Sequence, residues 1–298
     1  MAYPIIPAAY GLKPVSLAGG RVFSGSTRLI PIASNYGYNM FDGDVVTASG
    51  GSLVVTTLGA ASSPVAGTIG VFVGAQYVNS MSQTVRAQFY AANTITNTLY
   101  GPNSLQGYVV DDPYAVFQAA VLTQSTSVSN TPGATIGYVN PSFIGSNMYL
   151  VTNGSNGGSA SGNTTTGDSA MGLTGGAITS GTQGNTRITS SAPFRVVNVV
   201  PDTAVTVTAT GSTSGSSTTL TLTAANTAIS PGMQLIIPGV TGALASNFLT
   251  VTNVSSTTVT LSASITVASG TALSFIGYPE VQVQWNFGYH GYLNATAA

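Results

Sequence analysis

The side chains able to move protons, bind metals or attack substrates are few in this 298-residue chain. There is one histidine, no cysteine, six Lys or Arg and seven Asp or Glu. A lone His290 cannot assemble a histidine metal cluster within one chain, and the lack of cysteine excludes thiolate ligands and disulfides. A Ser-His-Asp triad would need His290, and no Gly-x-Ser-x-Gly elbow occurs. His290 sits in the aromatic run Phe287-Gly288-Tyr289-His290-Gly291-Tyr292, where a packing or interface histidine is the simpler reading. The carboxylates are Asp42, Asp44, Asp111, Asp112, Asp168, Asp202 and Glu280. Asp42-Gly43-Asp44 offers hard oxygen ligands of the kind Ca²⁺ takes, but it lacks the other acidic positions of a calcium loop and reads as a turn. Asp111-Asp112 could form an acid/base pair for glycoside cleavage. Neighbours on a strand point to opposite faces, however, and a helix cap accounts for Asp112. The glycines between Gly154 and Gly176 lack the lysine of a phosphate loop. These residues predict a protein without catalytic, cofactor-binding or metal-binding residues.

The remaining charges point to structure. Arg21, Arg28 and Arg195, with Arg86 and Arg187, face a similar number of acids and are expected to pair across strands or subunits. Only 4% of residues are charged, against roughly a quarter in an ordinary soluble protein. The net charge of −1 leaves no basic patch for nucleic acid and no field to steer a charged substrate. Near-zero charge favours self-association. The mean hydropathy of +0.33 comes from Val, Ala and Ile diluted by hydroxyls and amides, and no apolar run reaches the roughly 18 residues of a membrane helix. The N-terminus shows neither the basic region nor the apolar stretch of a secretory signal. The N-x-S/T sequons at Asn153, Asn163, Asn253 and Asn294 are what chance provides in an Asn/Ser/Thr-rich chain.

The elements that carry these residues read as β throughout. Val281-Gln282-Val283-Gln284-Trp285-Asn286-Phe287 alternates with period two, a strand with one buried face. Pro193–Thr203 is its expected partner, a β-branched run ended by the turn signal Pro201-Asp202. Residues 203–279, between these halves, hold no charged residue. They read as five or six short Thr/Ser-rich strands inserted at a hairpin tip, forming a small β-sandwich or barrel. Arg21–Ile32, Asp44–Ser49, Ser52–Leu58, Thr68–Tyr77, Thr84–Tyr90, Gly107–Asp111 and Tyr149–Thr152 are further strand-like runs, with Gly50-Gly51 a hairpin signal. Asp112 followed by Pro113 and an apolar run to Val121 predicts one short helix, with a strand as the alternative. Residues 153–192 have the composition of long surface loops.

The resulting expectation is an all-β protein in three parts. Residues 1–20, rich in Pro and Gly, form an extended arm on the host domain or on a neighbouring subunit, anchored by Tyr3, Ile5, Ile6, Tyr10, Leu12 and Val15. Residues 21–204 and 276–298 form a β-sandwich or barrel-like host with at most one short helix. Residues 205–275 form the inserted β domain.

Several phrases together resemble virion structural proteins of marine tailed bacteriophages. They are Tyr10-Gly11-Leu12-Lys13-Pro14-Val15, Gly25-Ser26-Thr27-Arg28-Leu29-Ile30-Pro31-Ile32-Ala33 and Gly43-Asp44-Val45-Val46, then Asp112-Pro113, Gly167-Asp168-Ser169, Pro193-Phe194-Arg195-Val196-Val197 and Tyr278-Pro279-Glu280-Val281. The likeness covers roughly residues 10–204 and 276–295, and the insert is similar in style to Thr/Ser-rich β modules of phage surface and tail proteins. The resemblance implies a non-enzymatic capsid decoration, or cement, protein. It would be made in the host cytoplasm and sit on the virion surface. Its expected partners are the major capsid protein and copies of itself, a trimer matching three-fold lattice positions, with neither nucleic acid nor membrane. A tail- or fibre-associated module that binds host glycans through the insert is the alternative. The insert's aromatics are only Phe248 and Phe275, which weighs against it.

Overall fold

In the computed structural model the alternation at Glu280–Trp285 becomes a strand with Val281, Val283 and Trp285 buried and Gln282 and Gln284 half-buried. The structure describes residues 9–33, 35–56, 68–94, 104–123, 135–136, 141–151, 162–174, 192–200, 206–229, 231, 233–236 and 249–286. The strands of the first half are β1 (Lys13–Leu17), β2 (Arg21–Val22), β3 (Arg28–Pro31), β4 (Val45–Ser49), β5 (Ser52–Val55), β6 (Thr68–Val78), β7 (Thr84–Ala87) and β8 (Gln106–Val110). Next come β9 (Ala115–Ala120), β10 (Leu122–Thr123), β11 (Thr135–Ile136), β12 (Asn147–Val151), β13 (Gly172–Thr174) and β14 (Phe194–Val199). The last are β15 (Thr206–Ser212), β16 (Ser217–Leu222), β17 (Gln234–Ile236), β18 (Leu249–Ser255), β19 (Thr258–Ile265), β20 (Thr271–Ile276) and β21 (Glu280–Trp285).

Two antiparallel sheets make the body. One has the order β13-β12-β14-β21-β9-β1-β2, and the other runs β3-β8-β6-β4-β5 with β7 also on β6. One apolar core draws on both sheets, joining Val46, Phe72 and Val109 to Phe117, Phe194, Val283 and Trp285, so the body is a β-sandwich. Trp285 packs at 4.8 Å from Phe194 and edge-on to Phe117 at 5.9 Å, a geometry that adds to area burial. Gly50 and Gly51 both have positive φ between Ser49 and Ser52, forming the two-residue turn that suits strand twist.

The six strands β15-β16-β19-β18-β17-β20 pair in a ring that closes on itself, a barrel in sequence between β14 and β21. Its interior is filled by Leu220, Val251, Val259, Leu261, Leu273 and Phe275, a core separate from that of the sandwich. Threonines occupy the outward positions, as in the cross-strand pairs Thr219 with Thr260 and Thr221 with Thr258.

The helix expected from Asp112 to Val121 is instead a turn and a strand. Asp112 Oδ1 accepts from the Tyr114 N–H, its carbonyl accepts from the Ala115 N–H, and Pro113 takes the turn position its fixed φ favours. The apolar run then becomes β9, paired with β21 on one side and β1 on the other. Phe117 and Ala119 face the sandwich core, while Ala120 packs on Val151 and Tyr278. A strand buried on both faces loses its alternation, so periodicity alone cannot tell it from a buried helix. Among the described residues there is no α-helix, a 3-10 turn lies at Pro141–Phe143, and no helix there is long and apolar enough to cross a membrane.

The sheet edges are guarded. β2 is two residues long, β13 three, and the edge strand β3 carries Arg28 and Pro31. Short edges, charge and proline all oppose strand addition by another chain.

Candidate functional site

The residue types that could do chemistry converge where β1, the loop before β4 and the segment before β13 meet. Gly11 (φ +81°) and Gly43 (φ +97°) bring two backbones together. A Cβ at Gly11 would lie 2.7 Å from the Gly43 backbone and from Ser169 Cβ, so only glycine allows this approach. Backbone bonds then knit the strands of chain: Gly11 N–H to Met171 O, Leu12 N–H to Gly43 O, Asp42 N–H to Gly167 O, and Ser169 N–H to Asp42 O.

The side chains at this crossing form a cluster. Lys13 Nζ lies 2.8 Å from Asp42 Oδ2 and 2.9 Å from Asp168 Oδ1, and donates to the Asp42 carbonyl at 3.2 Å. Gln88 Nε2 donates to Asp42 Oδ2 at 3.3 Å. Asp44 is fully buried and accepts from the Phe41 N–H at 2.8 Å and the Ser169 hydroxyl at 2.5 Å. Ser169 Oγ in turn accepts from the Met171 N–H. Burial pushes the Asp44 carboxyl up to about 7, against the pull of the Phe41 and Ser169 donors, and neighbouring Asp42 adds to the rise. For Asp168, partial burial acts upward, but the Lys13 hydrogen bond, the Thr166 hydroxyl and the Lys13 charge hold it below the usual carboxylate value.

At Asp42-Gly43-Asp44 the two carboxylates diverge, Asp42 towards Lys13 and Asp44 into the interior, and Lys13 Nζ sits among oxygens of Asp42 and Asp168. Among the described residues no group of three His, Cys, Asp or Glu is placed to hold a metal. Asp44 and Ser169 are both buried, so neither is presented to a substrate.

A second polar link lies at the far end of β9. The Tyr10 hydroxyl donates to Glu280 Oε1. Burial, and then the Glu280 hydrogen bond and charge, push the Tyr10 hydroxyl well above its usual value.

The other expected site residues divide three ways. Tyr10, Leu12 and Val15 belong to this chain's own body: Leu12 is completely buried in the sandwich core, and β1 is a strand of the seven-stranded sheet. Residues 13–17 thus lie on the host sheet of their own chain, paired with β9. Tyr3, Ile5, Ile6 and His290 lie outside the described residues. Arg28 pairs with Asp111 at 2.9 Å, Arg195 donates to Asn286 Oδ1, and Arg21 lies exposed on edge strand β2. Asp111 pairs with Arg28, and Asp112 accepts from a turn amide.

Sequence reasoning passed over Lys13, Asp168 and Ser169 as a unit. They lie more than 150 positions apart, and nothing short of the fold brings them together. The phrases quoted above for their resemblance contain these residues, and two more of those phrases lie in or beside the paired strands β14 and β21.

No family model, curated protein or solved structure matches the chain.

Proposed function

We propose that this chain is a non-enzymatic virion structural protein of a tailed bacteriophage, a capsid decoration protein on the outside of the head lattice. The observation that carries this reading is the scarcity of charge. Lys13 and Arg28 pair with Asp42, Asp168 and Asp111, and beside the exposed Arg21, Arg28, Arg86 and Arg195 the described surface is mostly hydroxyls, amides and a few apolar side chains. Val22 (83% exposed), Tyr114 (61%) and Val15 (40%) lie at or beside neighbouring positions of β2, β9 and β1. Such a surface gains little from steering or strong local contacts and suits static packing repeated over many copies. The guarded edges direct that packing through side-chain faces, with the major capsid protein and further copies of this chain as partners.

The hydroxyl-covered barrel supports the second reading, a tail or fibre module that binds neutral host glycans. Quantitative mass spectrometry of purified particles separates the two. A copy number equal to the major shell protein, or a simple fraction of it, is expected. A handful of copies per particle overturns the decoration reading and moves the protein to the tail or a vertex.

A further inference from the structure

We propose that residues 162–169 are a pH-released tongue, clasped to the sandwich by Lys13, Asp42, Asp44, Asp168 and Ser169 and freed when Asp44 gives up its proton. This does not rest on the virion reading.

The route of attachment comes first. The tongue is folded on itself, with Asn163 N–H bonded to Asp168 O, Gly167 N–H to Asn163 O, and the Asn163 side chain accepting from Thr165 and Thr166. Its backbone and polar side-chain links to the body run through residues 11–13, 41–45 and their cluster. Among the described residues they are the Asp42 backbone bonds, the Lys13–Asp168 ion pair and the Ser169–Asp44 hydrogen bond, while Met171, beyond the tongue, is held by the Gly11 and Val45 amides and by the sandwich core. Gly162 adds only a close apolar contact with the Phe41 ring. A single cluster therefore governs whether the tongue stays docked.

The charge inventory of that cluster is unbalanced. Lys13 from β1 faces Asp42 on the loop and Asp168 on the tongue, and its contacts are spent on those two carboxylates. Among the described residues Asp44 has no cation in contact, and it accepts from the Phe41 N–H and the Ser169 hydroxyl. Tyr36, from the preceding loop, is the other titratable group near it, and β6 contributes only the Phe72 backbone. With Asp44 protonated the cluster has one excess negative charge; ionised, it has two, one of them wholly buried. Burial places this proton loss near pH 7, within reach of ordinary solution conditions.

Ionised Asp44 gains most by reaching water, and the Ser169 hydroxyl ties it to the tongue. Lifting residues 162–169 hydrates the carboxylate while Met171 keeps its place in the sandwich core. Protonation reverses the change, because only the proton leaves and no covalent bond breaks.

Hydrogen exchange on the full chain between pH 5.5 and 9, corrected for intrinsic rates, tests this. Protection of amides 163–169 is expected to fall about tenfold per pH unit as pH rises towards 7 and to be lost above it, while β21 amides keep high protection at every pH. Asp44→Asn, which keeps the neutral form, is expected to hold the tongue at every pH. Protection that tracks β21 throughout overturns the proposal, as does a pH-dependent loss that persists in Asp44→Asn. Should that variant fail to fold, carboxyl-carbon NMR of the unaltered protein decides. Asp44 titrating near neutrality together with tongue amide shifts supports release, and an Asp44 signal flat from pH 6 to 8 overturns it.

Discussion

The Tyr10 hydroxyl donates to Glu280 Oε1 across 270 positions of sequence, tying the chain's entry into the sandwich to its last described strand. Tyr10→Phe removes that donor from a carboxylate that is only 4% exposed. The expected cost is about 1–3 kcal/mol, the desolvation of a buried polar group stripped of a partner. Guanidinium unfolding followed by the fluorescence of Trp285, the chain's one tryptophan, measures it. A midpoint unchanged from the parent protein would show the bond to be idle.

Global stability should fall from pH 5 to pH 8.5. The folded-state value of Asp44 is raised from 3.8 to about 7, so its contribution is complete below 3.8 and is lost as pH rises through about 7. Asp168 runs the other way, since its value is lowered; its contribution is present above 3.8 and lost as pH falls through a more acidic value. Maximum stability is therefore expected on the mildly acidic side. Asp44→Asn should flatten the decline above pH 5, which denaturant midpoints at a series of pH values will reveal.

Gly11→Ala and Gly43→Ala should each destabilise the fold by about 2–4 kcal/mol, combining a left-handed backbone with direct overlap. The expected contacts are 2.7 Å and 2.9 Å to backbone atoms, which cannot swing aside as a flexible side chain would. Gly50→Ala is the control, because it shares the positive φ but meets nothing within 4 Å. Equal losses at Gly50 and Gly11 would refute the close-approach account.

The barrel should unfold separately from the sandwich. Phe275→Ala, in the barrel core, is expected to cost about 3–5 kcal/mol there. Exchange protection of β15–β20 should drop while Trp285 fluorescence and β21 protection remain. Loss of both together would mean that the two cores are one cooperative unit.

Truncation at the N-terminus now has a defined limit. Removing residues 2–20 would delete β1 and Lys13, and so would test folding rather than attachment. Removing residues 2–8 leaves every described element in place. It is expected to lower occupancy on particles, as judged by mass spectrometry, without shifting the unfolding midpoint.

Strands and turns were legible wherever one face is buried and the other wet. Val281 to Trp285 alternates because Gln282 and Gln284 remain half-buried, and Gly50-Gly51 marks its turn because little else adopts that backbone so cheaply. Residues 112–121 misled because β9 is covered on both sides, and Asp-Pro opens a turn as readily as a helix. The cluster at Lys13 was illegible for a different reason. Its members are ordinary residues singly, and their meaning depends on a contact between Gly11 and Gly43 that no local pattern encodes.

The barrel hangs from the ends of two adjacent antiparallel strands, with the Val200 N–H bonded to Glu280 O at the point of exit. A tug on the barrel would load the β14–β21 ladder in peeling geometry, one hydrogen bond at a time from that end. The register shift between Val196 and Asn198 interrupts the ladder partway along, where such a peel would first have to change step. Force reaching this protein through the barrel would therefore be released at its stem, ahead of the Phe194–Trp285 packing deeper in the sheet.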